Sequence, residues 1–284
     1  MTDTTQSPAS YSIAELLRST DLPQQEARIL LGFALGLTRV ELITRSDTLL
    51  SPAQTALIHA LFARRLSGEP IAYLTGEREF YGLDFHVTPA VLIPRSDTEL
   101  LVELALTRVP QGGAILDMGT GSGAIAVAIA HARPDVRVTA LDASSAALVV
   151  AQSNAARHGV DIRFLLSDWF SALSASSGSD IFDLIVANPP YIHAADVHLS
   201  QGDLRHEPLD ALTDHADGLD ALRHIIRGAG AFLHADGWLL LEHGYDQADA
   251  VRQLLHQQGM SDPQSWRDLA GIERVSGARH IVVK

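Results

Sequence analysis

Gly113-Ala114-Ile115-Leu116-Asp117-Met118-Gly119-Thr120-Gly121-Ser122-Gly123 is the stretch that decides the fold. Its first four residues read as a short apolar strand. The run that follows, Ala124-Ile125-Ala126-Val127-Ala128-Ile129-Ala130, is small and apolar and suits a helix buried against a sheet. Between them lies a glycine-rich turn whose backbone can approach a ligand closely and whose free N–H groups would point at it. A second strand is expected over Val136–Leu141, ending at Asp142, about 20 residues past the glycines, where a carboxylate can accept from both hydroxyls of a ribose. The pattern fits a dinucleotide fold, since Ala124 can replace the last glycine of that motif. It also fits S-adenosylmethionine, which carries an ammonium, a sulfonium and a ribose but no phosphate. Asp117 favours the latter, because a carboxylate in the mouth of the turn would repel pyrophosphate and suit a cationic amino group. It could equally cap the turn's own N–H groups, which is compatible with either ligand.

Asp161–Leu166 reads as a third extended segment, ending in Ser167-Asp168-Trp169-Phe170. A carboxylate there can accept from an adenine amino group, with Trp169 or Phe170 flanking the ring. The alternative is a surface Asp beside two core aromatics. A fourth strand, Ile181–Ala187, runs into Asn188-Pro189-Pro190-Tyr191. Two prolines cannot continue a sheet ladder, so the chain must turn. The turn presents an amide, free carbonyls and an aromatic ring at the carboxyl end of a strand, where open α/β sheets place their ligands. Such groups can hold a planar –NH2 by its hydrogens while the ring lies against its plane.

Asp-x-Gly-x-Gly-x-Gly, Asp142, Ser-Asp-Trp-Phe and Asn-Pro-Pro-Tyr in this order resemble a class I S-adenosylmethionine-dependent methyltransferase. Glu79-Phe80-Tyr81-Gly82, Ile93-Pro94-Arg95, Arg205-His206-Glu207-Pro208 and Leu240-Leu241-Glu242-His243-Gly244 narrow the resemblance to the release-factor glutamine methyltransferases, the PrmC/HemK type, from about Leu16 to the end. Ser96, His206 and Met118 depart from the family's commoner residues at positions with no assigned chemical role. The resemblance implies S-adenosylmethionine as donor and S-adenosylhomocysteine as product. The implied cofactor-binding residues are Asp117, Gly119, Thr120, Gly121, Ser122, Gly123, Asp142, Asp168, Trp169 and Asn188. Asn188, Pro189 and Tyr191 would be catalytic, and Asn188, Pro189, Pro190 and Tyr191 would hold the substrate. The implied acceptor is the glutamine of the Gly-Gly-Gln tip of class 1 peptide chain release factors. A nucleic-acid N-methyltransferase is the first alternative, because it uses the same four-residue logic on exocyclic amines. A non-catalytic cofactor-binding scaffold is the second, and the intact motif argues against it.

Composition agrees with a cytoplasmic enzyme. With 21 Lys and Arg against 34 Asp and Glu the formal net charge is −13, which disfavours a nucleic-acid substrate and suits a protein substrate carrying basic residues. Acidity that only aids solubility is the competing explanation. There is no cysteine and hence no disulfide or thiolate metal site, and the 13 histidines show no metal-ligand spacing, so no metal is assigned. Met1–Ser10 lacks the blocks of a signal peptide, and no apolar run reaches the roughly 18 residues of a membrane span. No membrane association is expected, and a monomer is the expected state.

The first part of the chain is built differently. Ser12-Ile13-Ala14-Glu15 and Thr38-Arg39-Val40-Glu41 are capping boxes, Ser51-Pro52-Ala53-Gln54 opens a further helix, and Pro23 can occupy the first turn of another helix carrying Ile29, Leu30, Leu31 and Phe33. Leu57, Ile58, Leu61 and Phe62 are expected on one buried face, with Gly68 beyond the helix end. The expected organisation is a helical bundle for substrate recognition over residues 1–75 and a β-hairpin linker over 76–93. A methyltransferase domain of α/β class follows over 94–284, with a mostly parallel Rossmann-like sheet and helices on both faces. Its last strands are expected at Gly237–Glu242 and Ala278–Val283, the final one antiparallel by the resemblance. Residues 192–218 are expected to form a loop on the substrate side.

Overall fold

The computed structural model describes residues 11–175 and 180–281, so the reading of Met1–Ser10 lies outside the described residues. The chain divides into two compact units, Met1–Gly76 and Glu77–Lys284.

The first unit is helical: α1 (Ile13–Ser19), α2 (Gln24–Leu35), α3 (Arg39–Thr44), α4 (Pro52–Leu66) and α5 (Ile71–Thr75). Both expected capping boxes form, and Ser51 with Gln54 makes a third at α4, each with the hydroxyl accepting from the third helical N–H and the acidic or amide side chain returning to the cap. Pro23 stands at the N-cap of α2 rather than inside its first turn. Ile13, Leu16, Leu30, Leu31, Ile58 and Phe62 share one core. The expected face of α4 is corrected at one position: Leu57 is 49% exposed. Thr55, Ile58, Leu61 and Phe62 follow the helical repeat, and Leu57 falls outside that stripe.

The second unit opens with a hairpin, β1 (Glu77–Phe80) and β2 (Leu83–His86). Its two-residue turn places Tyr81 and Gly82 at φ 53° and 75°, a conformation normally left to Asn and Gly. Carboxylates compensate. Glu99 Oε1 accepts from the Tyr81 N–H at 3.1 Å and Glu79 Oε1 from the Gly82 N–H at 2.7 Å. Phe80 and Phe85 are buried in the core of this unit.

The remaining elements are α6 (Glu99–Arg108), β3 (Ala114–Met118), α7 (Ala124–Ala132), β4 (Arg137–Asp142), α8 (Ser145–Arg157), β5 (Ile162–Leu166), β6 (Phe182–Ala187), α9 (Leu209–Leu212), α10 (Asp220–Ala229), β7 (Leu233–Glu242), α11 (Ala248–Gln257), β8 (Ser261–Arg267) and β9 (Glu273–Arg279). The sheet order is β5-β4-β3-β6-β7-β9-β8. The first five strands are parallel, and β9 runs antiparallel to both its neighbours. Two apolar clusters sandwich the sheet, one built on α6 and α7, the other on α10 and α11.

The last strand is displaced from expectation. It spans Glu273–Arg279 rather than Ala278–Val283, of which Val282 and Val283 lie outside the described residues. Sequence reading also missed β8. This edge strand alternates intermediate and exposed positions, includes Pro263 and has no apolar run to mark it.

Candidate functional site

The strand β3 continues through Met118, so Asp117 is a strand residue with no exposed surface rather than part of the turn's mouth. One of its oxygens accepts from the Thr120 hydroxyl at 2.6 Å, and the other, Oδ1, has no partner. Burial pushes its carboxyl up to about 7, against the lowering effects of the Thr120 hydroxyl and the Ala126 N–H and with help from Asp142.

Gly119, Gly121 and Gly123 all take positive φ, at 71°, 56° and 82°. These values let the chain leave β3 and enter α7 without the strain a side chain would bring. The N–H groups of Gly119, Thr120, Gly121 and Gly123 are not free, which corrects the expectation. Those of Gly119 and Thr120 donate to Leu141 O, that of Gly121 to Asp142 Oδ2 at 2.9 Å, and that of Gly123 to Thr120 O. A turn whose amides are spent within the protein is a poor cradle for pyrophosphate, which needs them free. It still admits a ligand to close backbone approach.

A cavity of about 420 Å³ opens at the carboxyl ends of these strands. It brings together Gly119, Gly121, Asp142, Asp168, Trp169, Asn188 and Pro190 from the expected set. Asp117, Thr120, Ser122, Gly123, Pro189 and Tyr191 do not line it. Asp142 accepts from Gly121 and Ser144 N–H, one on each oxygen, which leaves further lone pairs for hydroxyl donors. Burial raises its carboxyl, and those amides oppose the rise. Trp169 sits at φ 47°, and its carbonyl accepts from the Ser167 hydroxyl at 2.6 Å. Phe170 instead stacks on Phe232 with centroids 4.9 Å apart, away from the cavity lining.

Residues 192–218 form one wall of this cavity through Pro208, Asp210 and Ala211, and Ala90–Leu92 form another. Glu207 joins the two walls: its buried carboxylate accepts from the Ile93 N–H at 3.0 Å and pairs with Arg95. Two segments that the sequence singled out separately are thus one structural device.

The Asn188 turn is held from three sides. Asn188 Nδ2 donates to Thr98 Oγ1 at 3.2 Å. Gln247 Nε2 donates to the carbonyls of Tyr191 and Gly218, at 3.0 and 3.1 Å. A Cβ on Gly218 would lie 2.4 Å from Tyr191 O, so only glycine fits against this turn. The Tyr191 hydroxyl faces Glu242 Oε1, a long contact of 3.5 Å. Burial and the Glu242 carboxylate both push the Tyr191 phenol up.

Glu242 and Thr98 were given no role in the sequence reading. Glu242 is 1% exposed at the end of β7, and its Oε2 has no partner. Burial pushes it up to about 7, against the Thr98 and Tyr191 hydroxyls and Arg274 and with help from Asp97. The available signal was positional. Ala187 pairs with Leu241, so Asn188 and Glu242 follow at the same level on adjacent strands. Neighbouring His243 is fully buried between Gly244 O and the Ser276 hydroxyl, both at 2.8 Å, and burial holds it below its usual value. Among the described residues no cluster of three or more His, Cys, Asp or Glu is arranged to hold a metal, and no helix is long and apolar enough to cross a membrane.

Family models agree with this architecture. The methyltransferase small domain matches residues 95–203 and the PrmC N-terminal domain residues 11–76. The release factor glutamine methyltransferase of Burkholderia pseudomallei is 55% identical over 283 residues, covering 97% of this chain and 98% of the relative. That of Bordetella pertussis is 53% identical over 268 residues, covering 93% and 98%. A solved methyltransferase from Pyrococcus furiosus superimposes with a TM-score of 0.54 at 18% identity, over 78% of this chain and 98% of that one, a likeness of fold alone. The second unit has the class I methyltransferase fold, and the chain belongs to the release factor glutamine methyltransferase family.

Proposed function

We propose that this protein transfers a methyl group from S-adenosylmethionine to the side-chain nitrogen (N5) of the glutamine in the Gly-Gly-Gln motif of class 1 peptide chain release factors. The observation that carries the reading is the Asn188-Pro189-Pro190-Tyr191 turn, with the Asn188 amide anchored on Thr98 at the edge of the strand-end cavity. It stands in a chain 55% identical, nearly end to end, to a release factor glutamine methyltransferase.

The residues present fit the donor. A turn with most of its amides already engaged suits a ligand without phosphate, and the unpartnered Oδ1 of Asp117 suits an ammonium. Asp142 would accept from the ribose, and Asp168 and Trp169 would flank the adenine. Gly119 and Gly121 would lie against the ligand's backbone-facing side, with Thr120, Ser122 and Gly123 shaping the turn behind them. Bound there, the donor supplies an electrophilic methyl on a sulfonium.

The chain's own part is positioning. Because Asn188 Nδ2 is spent on Thr98, its Oδ1 is the atom left to accept from the incoming –NH2. The Pro189 carbonyl would take the second hydrogen, while Pro190 and Tyr191 shape the seat of the amide. Fixing a resonance-weakened nitrogen in line with the methyl lowers the barrier without a general base. These hydrogen bonds strengthen as positive charge develops on nitrogen, so they favour the transition state. The methylated amide is then acidic enough to lose its proton to water.

Residues 1–75 would recognise the substrate protein. The first unit carries a cavity of about 570 Å³ lined by Ile29, Phe33 and Leu37 together with Gln25, Arg28 and Arg39, a mixed surface with positive charge in an acidic chain. We take the protein to be a cytoplasmic monomer that does not bind nucleic acid directly.

The test supplies labelled donor with purified release factor, its Gln→Ala variant, total RNA and total DNA. Label on the release factor alone, lost in the Gln→Ala variant, is the expected result. Label on nucleic acid with none on the release factor overturns the assignment in favour of a nucleic-acid N-methyltransferase.

A further inference from the structure

Pro189 and Pro190 bring no N–H to the Asn188-Pro189-Pro190-Tyr191 turn. The middle of such a turn cannot fix itself with donors of its own, so its place is set at its ends. At the amino end Asn188 Nδ2 donates to Thr98 Oγ1 at 3.2 Å. At the carboxyl end Gln247 Nε2 donates to Tyr191 O at 3.0 Å. The same nitrogen donates to Gly218 O at 3.1 Å, and Gln247 Oε1 accepts from the Gly244 N–H at 2.8 Å. Gln247 is the N-cap residue of α11, Gly244 lies just past β7, and Gly218 lies just before α10. One side chain thus ties the turn after β6 to three other element ends.

The three partners agree on one orientation of the Gln247 amide. A backbone N–H can only donate, so Gly244 takes the oxygen. Two carbonyls can only accept, so Tyr191 and Gly218 take the nitrogen and spend both its hydrogens. Glycines make the close approach possible. A Cβ on Gly218 would lie 2.4 Å from Tyr191 O and 3.0 Å from Gln247 Nε2, and one on Gly244 would lie 3.0 Å from Gln247 Oε1. The two carbonyls that Gln247 holds bracket the loop of residues 192–218. The neck of that loop is also closed by the Ile192 N–H donating to Leu212 O at 2.9 Å and the Ala194 N–H donating to Ala216 O at 3.0 Å.

We infer that Gln247 is a positioning residue for the transfer: it clamps the carboxyl end of the turn against the neck of the loop, so that Asn188 Oδ1 and the Pro189 carbonyl stay aimed at the acceptor nitrogen. This rests on the reading in which the turn holds that nitrogen. The Pro189 carbonyl lies between the two anchors, Thr98 and Gln247, and releasing one of them lets it swing. Gln247, Tyr191 and Gly218 do not line the donor cavity. The effect of Gln247 therefore belongs to the transfer step rather than to donor binding.

The experiment compares wild type with Gln247→Glu, Gln247→Met, Asn188→Ala and the Gln247→Glu/Asn188→Ala double variant. Glu keeps the shape and the acceptor for Gly244 but sets a carboxylate oxygen against two carbonyls. Met keeps the length and removes the donors without adding charge. Single-turnover rates are taken at saturating donor, on whichever acceptor the wild-type enzyme labels, and are divided by the donor-binding stoichiometry from calorimetry. That division removes any loss of folded protein, so a merely structural role leaves the corrected rate unchanged. The expected corrected loss is about 10²-fold for Gln247→Glu and about tenfold for Gln247→Met, with donor Kd changed far less. The double variant should fall short of the product of the two single losses, because both residues act on one turn. A Gln247→Glu enzyme at the wild-type corrected rate overturns the inference, as do a donor affinity lost in proportion to the rate or losses that multiply in full. If Gln247→Glu does not fold, Gln247→Met decides, and a wild-type corrected rate there sinks the inference. A full rate in Asn188→Ala removes the reading of the turn and the inference with it, whereas a slow Asn188→Ala beside a wild-type Gln247→Glu removes the inference alone.

Discussion

The two ends of the parallel sheet carry cavities of different character. The hollow at the amino ends of β3 to β6 is the larger, about 1030 Å³ against 420 Å³ at the carboxyl ends. Yet several of the charged groups around the amino end already have partners. Asp183 accepts from the Ala114 N–H at 2.8 Å, Arg163 pairs with Asp180 at 2.6 Å, and Arg133 and Asp135 form a two-point pair at 2.6 and 2.7 Å. At the carboxyl ends, two fully buried carboxylates each keep an oxygen with no partner, Asp117 Oδ1 and Glu242 Oε2. An unpaired buried carboxylate is costly. What separates a site from a crevice here is therefore polar capacity held in reserve rather than volume.

The largest effect expected from breaking this comparison is at Asn188. Asn188→Ala should lower kcat by about 10²–10³-fold, the range for removing one positioned hydrogen-bonding group. Donor affinity should fall far less, as read by calorimetry. A full rate in that variant would remove the positioning argument.

Asp117→Asn should come next, weakening donor binding about tenfold to a hundredfold through loss of a charge-assisted hydrogen bond. A pH dependence accompanies it. An ammonium favours the ionised Asp117, whose carboxyl lies at about 7 in the free protein. Donor binding should release a proton below neutral pH and tighten as pH rises to about 7. Calorimetry in buffers of different ionisation heat reads this directly, and Asp117→Asn should lose it.

Stability of the free protein should show the cost of the reserve. Asp117 and Glu242 are raised in the folded state, so the folded protein binds more protons than the unfolded chain between about pH 4 and pH 7. Their contribution to stability therefore declines as pH rises through that window. Urea melts at pH 5 and pH 8 should differ by less in Asp117→Asn than in wild type.

The smallest functional effect should come from the other end. Asp183→Ala removes the acceptor of the Ala114 N–H and should cost about 1–2 kcal/mol of stability while leaving kcat within about twofold. A large loss of activity there would show that the two ends are not separate.

Much of this was legible in the sequence because it rests on local signals. Strand, glycine turn and helix follow one another at Ala114–Ala132, the capping boxes announce α1 and α3, and Ser51-Pro52 opens α4. The Asn188 turn was legible because two prolines allow nothing else. What escaped depends on partners far apart in the chain. The Arg95–Glu207 pair and the Asn188–Thr98 bond span 112 and 90 residues. The spent amides of the glycine turn depend on β4 supplying Leu141 O and Asp142, which no motif states. Strand β8 escaped for a different reason, since an edge strand has no buried face to write into the sequence.

The most direct measurement is tandem mass spectrometry of release factor incubated with this enzyme and S-adenosylmethionine, with the Asn188→Ala enzyme beside it. One added methyl on the side-chain nitrogen of the Gly-Gly-Gln glutamine is expected, strongly reduced with the variant. A methyl elsewhere on the release factor, or one added equally well by both enzymes, would contradict it.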